Sequence, residues 1–183
     1  MTKIDSKSTK ISFYKERLIN STLFTFYVNE QSPKSSNKSY PSFNSRLLKD
    51  LPIIKCSSLE KEKIVERVDL ILKTTKQFDD FIKYFTKHIS IKFELEKLSS
   101  NLQNWYELEF KGFLKELQKA KVQLSLSQEA EWMQYFNEQK QKAQTLKAEI
   151  EKTDKEIDKM IYQLYGLSEE EIKIVEGELI WIK

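Results

Sequence analysis

A single histidine, His88, and a single cysteine, Cys56, leave this 183-residue chain little material for the commonest catalytic and metal chemistries. A Ser-His-Asp or Cys-His arrangement would have to be built around His88, and an ordinary zinc site needs four ligands that one His and one Cys cannot supply. The plain structural reading of His88 is a side chain near a helix C-terminus, where its charge suits the dipole. With only Gly112, Gly166 and Gly177 available, no Gly-x-Gly-x-x-Gly or Gly-Lys-Ser/Thr phosphate cradle can be assembled. Three glycines and three prolines also exclude a turn-rich sandwich or barrel and point to long helices. Cys56 cannot form an internal disulfide, and no apolar run approaches the roughly 18 residues needed to span a membrane. The opening Met1-Thr2-Lys3-Ile4-Asp5 lacks the apolar core of a signal peptide, so the expectation is a reducing cytoplasm.

What the sequence does have is heptad periodicity. Trp132, Gln139, Leu146, Thr153 and Met160 recur every seventh residue, and Phe136, Ala143, Ile150, Ile157 and Leu164 form a second series four residues on. Glu, Lys, Gln and Asp fill most of the positions between them. The pattern predicts one long helix over 127–166 with a narrow apolar seam. Ser125 with Gln128, or Ser127 alone, can cap its start, and Gly166 supplies the left-handed residue that stops it. A second long helix is predicted over 57–89, opened by the capping box Ser57 and Glu60. Ile64, Ile71, Phe78 and Phe85 form one of its series, and Val68, Thr75, Ile82 and Ile89 the other. Two seams of this kind satisfy one another in an intramolecular antiparallel hairpin, which the polar d residues favour over a homodimer, since Thr75 and Thr153 then need not face their own copies. Between the helices, 90–126 is a connection with a shorter helix, dense in Trp105, Leu108, Phe110, Phe113, Leu114 and Leu117. After them, 167–183 holds a short helix with a capping box at Ser168 and Glu171, ended by Gly177. The three adjacent acids Glu169, Glu170 and Glu171 point in different directions on a helix and answer its dipole; they do not read as a metal site.

The start of the chain differs in character. Residues 1–10 are rich in Ser, Thr and Lys, without periodicity, and read as a disordered tail. Apolar residues from Phe13 to Tyr27 recur at helical spacing, although Thr22 to Val28 could also form a strand. Asn29 to Ser39 reads as a polar loop, Tyr40-Pro41-Ser42-Phe43 as a short extended piece, and Asn44 or Ser45 can cap a short helix ended by Leu51-Pro52.

Charge separates the two parts. Residues 1–58 carry ten Lys or Arg against four Asp or Glu, a net of +6, while 59–183 carry 21 against 24, a net of −3. The basic third is the part suited to a phosphate backbone, and in it basic residues interleave with aromatic and polar ones. Lys34, Lys38, Tyr40, Asn44, Arg46 and Lys49 are the candidate DNA-binding residues: cations for phosphates, with Tyr40 or Asn44 for a base edge. On the competing structural reading, Tyr40 and Phe43 are core contacts beneath a solvated lysine surface.

These stretches resemble a known family. The run Leu18-Ile19-Asn20-Ser21-Thr22-Leu23-Phe24-Thr25-Phe26-Tyr27, then Tyr40 to Phe43, then Leu47 to Ile53, is similar to the closing part of target-recognition domains in TaqI-like DNA adenine methyltransferases and type I specificity subunits. Glu62 to Leu72 is similar to the helix that follows there. Trp105 to Leu117, Leu124 to Trp132 and above all Ile157-Asp158-Lys159-Met160-Ile161-Tyr162-Gln163-Leu164-Tyr165-Gly166-Leu167 through Val175 resemble the C-terminus of type IIG restriction-modification enzymes. The resemblance implies a mainly α fold: a long, coiled-coil-like antiparallel hairpin, preceded over 11–56 by a small helix and extended segment of target-recognition type. The family's Asn/Asp-Pro-Pro-Tyr/Phe catalytic motif, its cofactor-binding glycines and its nuclease motifs are absent. It therefore implies a chain without catalytic residues, metal or cofactor, whose partner is DNA, alone or together with a separately encoded catalytic chain. The alternative is a helical protein–protein adaptor, or a gene remnant, without DNA binding.

Overall fold

The computed structural model describes residues 17–31, 53–54 and 56–178. Among them the chain is mainly helical and contains no strand. A helical turn closes at Ile19, followed by α1 (Thr22–Gln31), α2 (Ser58–Lys92), α3 (Ser100–Gln103), a 3-10 turn (Trp105–Glu107), α4 (Phe110–Lys119), α5 (Leu126–Tyr165) and α6 (Glu169–Val175). The chain divides into two compact units: residues 1–70 with 153–183, and residues 71–152. Both long helices, α2 and α5, contribute to both units.

The caps read from the sequence set the helix ends. Ser57 and Glu60 exchange hydrogen bonds, Ser57 N–H to Glu60 Oε2 at 2.8 Å and Glu60 N–H to Ser57 Oγ at 3.2 Å, and α2 begins at the next residue. Ser125 and Gln128 do the same for α5, and Ser168 and Glu171 for α6. Gly166, at φ +67°, stops α5: its N–H reaches the Gln163 carbonyl and the Leu167 N–H the Tyr162 carbonyl. Gly177, at φ +77°, ends the last helix in the same way. The end of α2 lies at Lys92, three residues beyond the expected Ile89, because Glu94 takes the left-handed position at φ 51° that a glycine usually holds.

The seam of α5 follows the heptad reading. Trp132, Phe136, Ala143, Thr153 and Ile157 are buried, and Gln139, Leu146, Ile150, Met160 and Leu164 half-buried. The seam of α2 departs at one point: Thr74 is buried and the expected Thr75 is exposed.

Each unit pairs the long helices antiparallel. In the first, Arg67 Nε lies 3.4 Å from Glu156 Oε2, and Glu60, Lys63 and Ile64 face Met160, Gln163 and Leu164 across a cleft of about 270 Å³. In the second, Phe85 lies against Phe136 and Tyr135 with ring centroids 6.4 and 5.7 Å apart, and His88 against Trp132 at 5.8 Å. Sequence numbers rise on one helix as they fall on the other. The core of the second unit is an aromatic cluster in which Phe85, Trp105, Phe113 and Phe136 are buried together with Ile89, Leu102 and Leu117. The Phe85 and Trp105 centroids are only 3.9 Å apart, and Phe113 stacks on Phe136 at 4.8 Å. The connecting segment therefore supplies Trp105, Phe113 and Leu117 as core, while Leu108, Phe110 and Leu114 stay half-buried.

The single helix expected from Phe13 to Tyr27 is instead broken at Asn20–Ser21, and α1 continues to Gln31, into what was expected to be loop. Ser21 is buried and works in both directions. Its Oγ donates to the Leu18 carbonyl at 2.7 Å and accepts the Phe24 N–H at 3.2 Å, closing one turn and capping the next. The strand alternative over Thr22 to Val28 is excluded.

Candidate functional site

The polar seat that fixes the N-terminal segment is built on one face of α5 within the first unit. Asp154 and Asp158 stand four residues apart, one turn along the helix. Asp154 Oδ1 is bridged by the Arg17 guanidinium. Asp158, buried, accepts the Thr22 hydroxyl at 2.5 Å and the Thr22 N–H at 3.3 Å, so a carboxylate sits at the N-terminus of α1, where the helix dipole favours negative charge. One turn further, Tyr162 is buried, and its hydroxyl is pushed up to about 12 by burial and then by the Asp158 and Glu176 carboxylates, with Thr22 beside it. Leu18, Phe24 and Val28 complete the seat on the apolar side, together with Ile157 and Ile161, and α1 also touches α6.

The other flank of the N-terminal segment is held in the same unit. The Tyr165 hydroxyl pairs with the Ile54 backbone, and burial raises its pKa in spite of that bond. Residues 32–52 are thus bracketed by α1 on one side and Ile54 on the other. The six DNA-binding candidates Lys34, Lys38, Tyr40, Asn44, Arg46 and Lys49 all fall inside this bracket and lie outside the described residues, as do the extended piece and short helix expected over 40–49. What the described structure brings together is the anchor on each side of them.

Sequence reading missed this seat. Its signal was present in the crowding of Ile157, Met160, Ile161, Tyr162 and Leu164, more apolar residues per turn than an a/d seam needs. That surplus marks a second buried face.

His88 lies four residues before the end of α2, as expected, and is half-buried among aromatic rings with Nδ1 3.4 Å from the Tyr135 hydroxyl. Cys56 is a free thiol in the first unit, so the two residues do not form a couple within either unit. In the second unit Glu116 is a buried carboxylate with three partners: the Lys119 ammonium at 2.6 Å, the Ser99 hydroxyl at 2.7 Å and the Asn101 amide at 3.0 Å. These hold its pKa at about 2, Lys119 contributing most. Because Ser99 caps α3, Glu116 ties α4 to the start of that helix and is consumed structurally. Among the described residues no three His, Cys, Asp or Glu side chains gather as a metal site, and no helix is long and apolar enough to cross a membrane.

A family described as a domain of unknown function, DUF8810, matches residues 57–161, more than half of the chain. The matched span opens at the cap of α2 and closes four residues before the end of α5. No curated protein and no solved structure matches.

Proposed function

The chain belongs to the DUF8810 family, and we propose that its paired long helices form a non-catalytic, cytoplasmic scaffold carrying the DNA-specificity segment of an adenine-methylation or restriction-modification system. The observation that carries this reading is the seat on α5. Residues 18–27, which resemble the closing part of target-recognition domains, and 157–175, which resemble the C-terminus of type IIG enzymes, are far apart in sequence, yet they meet in one unit through Thr22 and Asp158. In sequence, the basic segment lies between α1, held at Asp158, and Ile54, held at Tyr165.

The test is duplex DNA binding by the pure chain, alone and mixed with an adenine methyltransferase chain encoded beside it. Replacing Lys34, Lys38 and Arg46 together by Ala should weaken binding and flatten its log–log salt dependence by a slope of up to about 3. The chain alone should transfer no methyl group from S-adenosylmethionine to DNA. An unchanged slope in the triple variant, or methyl transfer by the single chain, would overturn the assignment. The second reading, a protein–protein adaptor, is favoured by large exposed apolar side chains such as Tyr84, Ile91 and Leu126.

A further inference from the structure

The C-terminal half of α2 carries a surface that the fold itself leaves unused. In the second unit a cleft of about 430 Å³ runs between α2 and the segment from Leu98 to Gln103, lined by Ile82, Lys83, Thr86, Lys87, Ser90, Leu98 and Gln103. Its hydroxyl protons are already committed: Thr86 Oγ1 donates to the Ile82 carbonyl at 2.6 Å and Ser90 Oγ to the Leu95 carbonyl at 2.7 Å. Gln103 Nε2 likewise donates to the Leu98 carbonyl at 3.1 Å. The main free donors are the ammonium groups of Lys83 and Lys87, both exposed and one turn apart, with no carboxylate within 4 Å among the described residues. On one side of this cationic pair lies the apolar floor of Ile82 and Leu98. On the other, Tyr84 and Ile91 stand two turns apart on the outer line of the helix, 69% and 67% exposed.

We propose that this face is a docking surface for an acidic, amphipathic segment of a second protein, with carboxylates one helical turn apart and apolar side chains on both sides of them. Two unpaired cations call for anions, and the apolar strips beside them call for a ligand that is more than its charge. A phosphate backbone suits the surface less well. Asp80 lies three residues before Lys83 and Asp79 four, so a long polyanion laid along α2 would run onto carboxylates one turn before the lysine pair, whereas a short segment seated on the pair need not. The inference does not depend on the DNA-binding segment proposed above.

The test is selection of binders for the full chain from a random 14-residue peptide library, followed by fluorescence anisotropy with the enriched peptides. Selected sequences should carry Asp or Glu one turn apart next to Leu, Ile or Phe. The exposed double variant Lys83→Gln/Lys87→Gln should lose roughly tenfold or more in affinity and most of the salt dependence. Tyr84→Ser/Ile91→Ser should also weaken binding while leaving its salt dependence in place. Duplex DNA binding by the intact chain should be unaffected by either pair. Failure of any peptide to enrich would overturn the proposal, as would peptides that bind the lysine variant equally well. A duplex DNA probe that loses its affinity in Lys83→Gln/Lys87→Gln would assign the surface to nucleic acid instead, without touching the test on Lys34, Lys38 and Arg46. Circular dichroism melts of both variants verify that the fold is intact.

Discussion

The two units use the same pair of helices and hold them by different means. In the second, aromatic rings from α2, α4, α5 and the 3-10 turn fill one cluster, with Glu116 as its buried polar tie. In the first, aliphatic contacts are supplemented by directional ones, with Asp154 and Asp158 receiving Arg17 and Thr22 and with Ser21 closing a turn. Burial is non-directional, whereas a buried carboxylate with a hydroxyl and an amide on it fixes one register and fails as a group.

The largest effect expected from breaking this contrast is in the aromatic cluster. Phe136 is fully buried against Phe85, Trp105, Phe110 and Phe113, so Phe136→Ala should cost about 3–5 kcal/mol. Chemical denaturation measures it directly. A loss below about 1 kcal/mol would mean that the rings are not packed as described. Amide exchange should accelerate first in 78–89 and 102–117.

Asp158→Ala comes next, at about 2 kcal/mol, because it strands the Thr22 N–H and hydroxyl at a part-buried helix start. Its signature is local. Limited proteolysis should begin to cut within 17–31 while 78–117 stays protected, and cleavage that starts in the second unit would contradict the assignment of Asp158 to the N-terminal seat.

The sequence revealed these two holds unequally. The seam of α5, three of the caps and both glycine stops are local or strictly periodic signals, and each was readable residue by residue. The ends of α2 and α4 were not, because Glu94 and Lys121 occupy left-handed positions without the glycine that announces them. Thr74 takes the buried position expected of Thr75, and nothing in the local sequence distinguishes the two adjacent threonines. The break at Ser21 escaped because Ser, Asn and Thr compete for the backbone in a way that only their tertiary partner decides, and that partner, Asp158, is 136 residues away. For the candidate site, cations at Lys34, Lys38 and Arg46 were legible, while the seat on α5 was signalled only by the apolar surplus of 157–164, since an acid at a seam-adjacent position looks like any solvated one.

Glu116 sharpens the comparison from the other side, as the buried polar tie inside the aromatic unit. Its folded pKa of about 2 lies below the ordinary value of 4.5, so the native state binds its proton less readily than the unfolded chain does. The sign follows: the contribution is fully present above about pH 4.5 and is lost as pH falls toward 2. Glu116→Gln keeps the shape, and an amide oxygen can still accept from Ser99 or Asn101, but the ion pair with Lys119 is gone. The expected cost at pH 7 is about 1.5 kcal/mol, the smallest of the three. Urea titrations at pH 7 and at pH 3 separate this from a packing effect. The intact chain should lose more stability than Glu116→Gln between the two pH values, so that the gap between them narrows in acid. A gap that stays constant would show that the carboxylate charge contributes nothing and that Glu116 is held by packing like its aromatic neighbours.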